Sequence, residues 1–468
     1  MIDSKLIHLY KALSADEKRY LRKWMEFNFV HEKVSVCQLF LFLDSRRTIT
    51  PLTVRKSRVF EAVFPGEEYD DLKMRHTMWR CVEVIEECLT VHSFMQQRNN
   101  RHLQLLSVYR QKKLPQYARE VLHKIQKQHE KQGWKDGDYY LEQLQMEKQL
   151  YEIASHNTRY TELNLQQVIN RIDDYAVAET LRWACIALSH QRISGTTYQF
   201  RHLEHYLQRI EEGQYANHPA VQIYYLIYKL QIQSDDALFN RLYQSVFTFE
   251  DCFTDVELKD IFLLSINYCI RAMNVGQQQY ARYAFDLYMH ALHKKYLLEE
   301  NQLDRFTFKN IAFIAIRRLK DFHRAEKFIA TYGHFLADEY REDTVAFVNA
   351  TLFFEQKQYK KAMRILQRIE FADVLWNLDA KNMLMKMYFE ESDFEVLLHF
   401  LNSYTAYLKR QKKIGYHQTR YLKVIHLCKK LYNNIGAGKK QKAVLRELIE
   451  NDSELPEKEW LLERVRLL

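Results

Sequence analysis

The sequence predicts an all-α protein made of antiparallel helix pairs, each packed against the next. Three observations lead to this fold class. The 468 residues include only 10 glycines and 5 prolines, roughly 2 % and 1 % where average proteins have about 7 % and 5 %. Apolar residues recur at helical spacing along almost the whole chain, and alternating strand patterns are nearly absent. The segments that interrupt this periodicity are short, which is typical of helices joined by tight turns.

The same composition excludes several other classes of fold. Glycine-rich barrels, doubly wound nucleotide-binding folds and collagen need more glycine or proline than this chain contains. Helices tolerate the shortage because they use glycine and proline mainly at their ends. Hydrophobic residues make up 47 % of the chain and aromatic residues 14 %, which is enough to fill a core. Wholesale disorder is therefore not expected.

Residues 1–95 are predicted to form a small helical N-terminal unit. Its helices are expected near 4–13, directly after Ser14, near 33–44, near 52–63 and from 71 to about 94. Ser14 and Glu17 have the spacing of a capping box, in which each side chain binds the backbone amide of the other residue. The longest helix carries a continuous apolar stripe, formed by Met74, Met78, Cys81, Val82, Ile85 and Cys88.

Helical repeats are predicted over residues 96–412, where the pattern becomes helix, short turn, helix. A pair of antiparallel helices joined this tightly keeps an apolar face that only the next pair can cover. That arrangement predicts an α-solenoid, in which each repeat contacts its neighbours. The remaining residues, 413–468, are predicted to form basic helices followed by a capping helix near 455–465, with a free amphipathic tail as the alternative.

One predicted helix pair has a small residue, Ala362, early in its second helix, with the large apolar residues Tyr359, Leu366 and Ile369 three before it and four and seven after it. This set resembles the pattern of the tetratricopeptide repeat (TPR) family, which places small and large apolar residues at these positions of each pair. Units centred on Ala118 and Ala325 are similar, while the unit after Ala362 has Leu397 instead. The resemblance implies a right-handed solenoid that acts as a scaffold or adaptor, with a peptide or helix bound along the first helices.

The sequence also differs from the family pattern. The small positions Ala284, Ala325, Ala362 and Leu397 are 41, 37 and 35 residues apart, against a period of about 34 in the family. The first helix of the Ala362 repeat is predicted to offer Thr344, Phe347, Thr351 and Glu355 to a groove. These residues do not reproduce the lysine/asparagine clamp with which some members bind a terminal carboxylate, so that specificity is not expected.

Positive charge is concentrated near the C-terminus of the sequence. Residues 396–446 contain 12 Lys/Arg and no Asp/Glu, whereas residues 447–468 contain 3 basic and 7 acidic side chains. At helical spacing, several of these cations are predicted to share one surface, which we call the C-terminal basic surface: Lys409, Arg410, Lys412, Lys413, Arg420, Lys423, Lys430, Lys439 and Lys440. Three interpretations stay open, namely a solubilising face paired with the acidic tail, a site for an acidic protein, and a nucleic-acid site.

No catalytic, cofactor-binding or metal-ligating residues are predicted. The sequence lacks the phosphate-loop, dinucleotide, nucleophile-elbow and zinc-protease motifs. His202 and His205 are three residues apart and are expected on one helix face, but no cysteine or carboxylate cluster completes a ligand set. The seven scattered cysteines are typical of buried apolar residues in a reducing compartment.

These observations predict a cytoplasmic, non-enzymatic protein–protein interaction scaffold or adaptor. No signal peptide or membrane-spanning run is recognised in the sequence. Two alternatives are a nucleic-acid-associated factor that uses the C-terminal basic surface and a ligand-controlled regulator whose N-terminal helices act as an effector. DNA docking by those helices has little support, because residues 1–95 carry 15 basic and 14 acidic side chains.

Overall fold

Helices dominate the computed structural model, which confirms the predicted all-α class. The structure describes residues 1–28, 34–96, 98–131, 133–155, 162–369, 371, 374–411, 416–436, 438–452 and 455–467. The chain divides into two compact units, Met1–Thr180 and Leu181–Leu468. The predicted boundaries at 95 and 412 stay predictions. Within the described residues, no helix combines the length and the apolar character needed to cross a bilayer.

The first unit contains α1 (Lys5–Ala12), α2 (Ala15–Asn28), α3 (Val34–Asp44), α4 (Lys56–Val63), α5 (Asp71–Gln96), α6 (Arg98–Gln111), α7 (Pro115–Glu130), α8 (Gly137–Ser155) and the first half of α9 (Leu165–Ser194). The predicted stripe of α5 is buried against α1, α2 and α3. The capping box is confirmed as well. Ser14 N donates to Glu17 Oε2 at 2.7 Å, and Glu17 N donates to Ser14 Oγ at 3.2 Å. The bond from the Ser14 backbone lowers the pKa of Glu17, so the cap is made by the charged carboxylate.

The second unit begins within α9 and continues with α10 (Leu203–Glu211), α11 (Pro219–Ile232), α12 (Asp236–Thr248), α13 (Asp255–Asn274), α14 (Tyr280–His293), α15 (Arg305–Phe313), α16 (Phe322–Tyr332), α17 (Asp338–Glu355), α18 (Tyr359–Leu366), α19 (Val374–Glu390), α20 (Phe394–Arg410), α21 (Tyr416–Asn433), α22 (Lys439–Glu450) and α23 (Lys458–Leu467). Most of these helices pack against the following helix. In addition, α11 contacts α13, α15 contacts α17, and α17 contacts α19. Sequence neighbours are thus spatial neighbours in this unit.

The small residues that carry the family resemblance lie in tightly packed positions. Ala284, Ala325 and Ala362 are completely buried on α14, α16 and α18, and Ala118 is completely buried on α7 of the first unit. Leu397 is buried at the corresponding place of α20. These burials confirm the predicted core positions, and a larger side chain at any of the alanines would have to displace a neighbouring helix.

Four helix pairs are joined by the same three-residue turn. In each, the middle residue has a positive φ, between 52° and 59°, and it is a lysine or a serine: Lys113, Lys320, Lys357 and Ser392. In three of these turns the amide of the middle residue bonds three residues back and the next amide bonds five residues back, as in Lys357 N to Phe354 O and Gln358 N to Phe353 O. This is the Schellman ending of an α-helix, in which glycine is the usual left-handed residue.

A small hairpin and a short widened helix interrupt the pairs. The strands β1 (Leu298–Glu299) and β2 (Gln302–Leu303) pair antiparallel between α14 and α15. Their turn residues Glu300 and Asn301 both have positive φ, as the tightest hairpin turn requires. Residues Ile314–Arg318 extend α15 with π-type hydrogen bonding, so the side chains after Phe313 are rotated relative to a regular helix.

The C-terminal helix α23 is docked rather than free. Its Leu461 and Val465 are buried in a core shared with α17 to α22. Trp460 Nε1 donates to Glu390 Oε1 of α19 at 2.8 Å, and Arg464 Nη1 donates to Glu390 Oε2 at 2.6 Å. The alternative of a free amphipathic tail is therefore wrong for this segment. Pro456, expected in the first turn of the helix, lies in the turn that precedes it.

Candidate functional site

The C-terminal basic surface is spread over three helices. Its cations lie in the last turn of α20, along α21 and in the first turn of α22, while Lys412 and Lys413 lie outside the described residues. The predicted apolar stripe of α21 is confirmed at its centre, where Val424, Ile425, Cys428 and Leu431 are buried. The exposed members of the surface are Lys409, Arg410, Lys423, Lys439 and Lys440, and Arg420 and Lys430 are partly exposed.

Acidic residues that follow this surface in sequence bind Lys423, which belongs to it, and Arg446, which lies beyond it in the chain. Lys423 Nζ lies 2.8 Å from Asp452 Oδ2, and Arg446 Nε lies 2.7 Å from Glu450 Oε1. Lys429 donates to the side-chain oxygen of Asn402 at 2.8 Å. The acidic segment after residue 446 therefore neutralises part of the positive charge that precedes it.

A different surface combines cations with aromatic rings on α15, α17 and α19. Arg305 Cζ lies 4.8 Å from the ring centroid of Phe306, 5.7 Å from that of Tyr340 and 5.5 Å from that of Trp376. Lys309 Nζ lies 5.2 Å from the centroid of Trp376. Phe306 packs edge-on against Trp376 and is 43 % exposed. We call this set the cation–aromatic face, formed by Arg305, Phe306, Lys309, Phe313, Arg317, Tyr340 and Trp376.

Packing beneath the face fixes the rings. Phe347 of α17 is completely buried and stacks on Trp376 with centroids 5.1 Å apart. Arg317 Cζ lies 4.2 Å from the centroid of Phe313, at the point where the helix widens. Burial raises the pKa of the neighbouring Asp379, and the charges of Arg317 and Lys309 oppose that rise. The face thus consists of tightly packed aromatic rings with cations over them.

The prediction that residues of α17 line a groove is wrong for most of them. Thr344, Phe347 and Thr351 are completely buried and face the core. Glu355 binds Lys320 at the end of α15's π-type extension. The partly exposed side chain near the start of α17 is Tyr340 instead, because the burial of Thr344 and Phe347 sets the rotation of this helix. The cation–aromatic face was missed because its members are scattered over 72 residues, although the Arg305, Phe306, Lys309 cluster is visible within one helical turn.

A cavity of about 560 Å³ lies beside Tyr340. Its other walls come from α13, the hairpin and the start of α15, through Lys259, Leu263, Leu297, Glu299, Glu300, Gln302, Leu303, Asp304 and Thr307. Lys259 and Glu299 form an ion pair across it, which holds the hairpin against α13. Asp304 caps α15 by accepting from Thr307 N at 2.8 Å. The cavity therefore continues the cation–aromatic face toward the preceding helix pair.

The structure also places the cysteines and the histidine pair that the sequence contains. Burial raises the pKa of Cys81 and of Cys428 to about 12, so neither thiol is readily ionised. His202 precedes α10 with a left-handed backbone (φ 62°), and it does not share a helix face with His205 as expected. Among the residues that the structure describes, no three His, Cys, Asp or Glu side chains are close enough together to hold a metal ion.

Comparison with known proteins gives no match to a protein-family model, to a curated protein or to a solved structure.

Proposed function

We propose that this chain is a cytoplasmic, non-enzymatic protein–protein interaction scaffold or adaptor built on a right-handed, TPR-like α-solenoid. The observation that carries the proposal is the cation–aromatic face. Arg, Tyr and Trp are the residues most enriched among those that dominate binding energy in protein interfaces. Here Arg305 and Tyr340 lie partly exposed beside the buried ring of Trp376, and the three residues belong to the first helices of three successive pairs.

The repeat architecture is supported by two recurrent features of the second unit. The buried alanines of α14, α16 and α18 occupy equivalent places in successive helix pairs. The turns at Lys320, Lys357 and Ser392 have the same length, and the middle residue of each has a left-handed backbone conformation. Repetition of both features is what stacked copies of one helix–turn–helix unit require.

The occupant that this face fits best is an acidic segment of a partner protein. Arg305 and Lys309 contribute positive charge, Arg317 shares its charge with Glu355 at 3.9 Å, and Phe306 contributes exposed apolar area beside them. An extended or helical segment with Asp or Glu next to a large apolar side chain would satisfy both features. The adjoining cavity at Tyr340 would take one further side chain.

The test is affinity capture of the tagged full chain with matched variants. In the double variant Phe306→Ala/Lys309→Glu, affinity for a captured protein should fall by about tenfold or more, because an exposed ring and a cation are lost together. Lys361→Glu is the control, because Lys361 lies 5.4 Å from the ring of Phe353, away from the face. Equal affinity of both variants for every captured protein would refute the proposal.

Nucleic-acid binding by the C-terminal basic surface stays a prediction and is an outcome of the same experiment. Nuclease treatment and high salt should abolish capture that depends on phosphate backbones. Changing Lys412, Lys413 and Arg420 together to glutamate should weaken such capture, whereas Phe306→Ala/Lys309→Glu should leave it unchanged. That result would replace the protein partner with a nucleic acid.

A further inference from the structure

Two arginines of the second unit meet at the C-terminal end of α11. Arg192, near the end of α9, donates from Nη2 to the carbonyl of Gln231. Arg271, near the end of α13, donates from Nη2 to the carbonyl of Leu230 at 3.4 Å. Because these two carbonyls belong to consecutive residues, the two guanidinium groups converge on the same end of α11. We call them the arginine pair.

Carboxylates are lacking around the arginine pair. Neither guanidinium forms an ion pair with any Asp or Glu that the structure describes. The sequence has no acidic residue in 180–203, in 219–234 or in 261–285, the stretches that contain the converging helix ends. The nearest acids along the chain are engaged elsewhere, since Asp235 accepts from Leu238 N at 2.9 Å and Asp236 accepts from the Tyr280 hydroxyl at 2.6 Å.

The two positive charges affect the pKa of Arg271, the more buried arginine of the pair. Burial and the neighbouring charge of Arg192 lower the pKa of Arg271 to about 10. At neutral pH Arg271 is still protonated, so both positive charges are present. They are held close together in a setting that disfavours them.

The end of α11 compensates only part of this charge. A helix C-terminus carries about half an elementary negative charge, against two full positive charges here. Each guanidinium has five N–H donors, and one donor of each is used on a carbonyl. Capping of α11 therefore explains the position of the two arginines but leaves most of their charge and most of their donors for an anion.

We infer that the arginine pair binds a phosphate dianion, either as inorganic phosphate or as the phosphate ester of a small molecule. Two guanidinium groups match the charge of a dianion, and their planar forks can each donate two hydrogen bonds to tetrahedral oxygens. Arg271 Cζ lies 5.5 Å from the ring centroid of Tyr268, whose hydroxyl is 3.2 Å from that of Ser234 and accepts from Asp235 N at 3.3 Å. The inference is independent of the proposed scaffold function.

Titration calorimetry of the full chain tests the inference with inorganic phosphate and with glycerol 3-phosphate, against chloride at equal ionic strength. Arg192→Gln should raise the dissociation constant at least about tenfold, because one charge and its hydrogen bonds are lost. Arg192→Lys, which keeps the charge but loses the fork, should fall between Arg192→Gln and the unchanged chain. Tighter binding of glycerol 3-phosphate would identify an ester as the ligand, and equal or weaker binding would identify free phosphate.

Arg282→Gln is the matched control. Arg282 is an exposed arginine on α14 whose Nε lies 2.9 Å from Asp286, so its loss should leave phosphate binding unchanged. Arg271→Gln should also weaken binding, but Arg271 is the more buried residue, and the exposed Arg192 provides the decisive variant. The inference is overturned if phosphate produces no binding heat, or if Arg192→Gln and Arg282→Gln bind it as the unchanged chain does.

Discussion

The C-terminal basic surface and the arginine pair are both positively charged, but they differ in what surrounds the charge. On the C-terminal surface, cations that are close in sequence spread over three helices, and Lys423 has a carboxylate partner, as does the nearby Arg446. In the arginine pair, two cations 79 residues apart in sequence meet on consecutive carbonyls, and no described carboxylate forms an ion pair with either of them. The comparison shows that many cations close together in sequence indicate a solvated surface. A site for an anion depends instead on side chains from distant parts of the chain that meet at one place.

The pairing of charges at the C-terminal basic surface depends on the docking of α23, because α23 holds the acidic segment after residue 446 against the helices that carry the cations. Glu390→Ala would remove the acceptor of both Trp460 and Arg464, and the largely buried Arg464 would keep only the exposed Glu463 as a partner. We expect the free energy of unfolding in urea to fall by about 3 kcal/mol. Glu463→Ala is the control, since Glu463 pairs with the same arginine but is largely exposed, and it should cost less than about 0.5 kcal/mol. Equal losses in the two variants would show that α23 does not depend on the buried pair.

Removing one charge of the arginine pair should not lower the free energy of unfolding, in contrast to Glu390→Ala. In phosphate-free buffer at low ionic strength, Arg192→Gln removes the like charge beside Arg271. The free energy of unfolding should stay constant or rise by up to about 1 kcal/mol, and high salt should erase any gain. Urea denaturation at low and at high sodium chloride concentration measures both. A loss of more than about 1 kcal/mol would mean that the stabilisation which Arg192 gives as a cap of α11 outweighs its repulsion with Arg271, and the contrast with the paired surface would disappear.

The smallest effect is expected where charge is paired at the surface. Lys423 and Asp452 are partly exposed and 2.8 Å apart, so Lys423→Gln and Asp452→Asn should each lower the free energy of unfolding by less than about 1 kcal/mol. A double-mutant cycle with the two changes should give a coupling energy of about 0.5 kcal/mol that decreases with salt. A coupling above about 2 kcal/mol would place this pair among structural contacts rather than on a solvated face.

The helices and much of the core could be predicted from sequence because they follow from local rules. Helical periodicity located α5 and the buried stripe of α21, and a four-residue spacing rule located the Ser14–Glu17 box. The buried alanines followed from a family pattern. Each of these features is encoded within a few turns of one helix, so no knowledge of the tertiary structure was needed.

The candidate sites could be predicted only in part, because they depend on rotation and on long-range convergence. The sequence pattern places side chains of α17 in a groove, but tertiary packing turns Thr344 and Phe347 into the core. Arg192 and Arg271 are each unremarkable in sequence, and only the shared end of α11 brings them together. The glycines in the sequence also do not reveal every turn. Four turns have a left-handed residue that is not glycine, namely Lys113, Lys320, Lys357 and Ser392.

The uniform turns within pairs have a consequence for how such a chain can change length during evolution. An inserted residue at Lys357 would break both hydrogen bonds that close the turn and would rotate the next helix by about 100°. The connections between pairs differ in length, and the longest spacing, from Ala284 to Ala325, contains the Leu298–Leu303 hairpin. Insertions and deletions should therefore accumulate between pairs, leaving each pair as an inherited unit of nearly constant size.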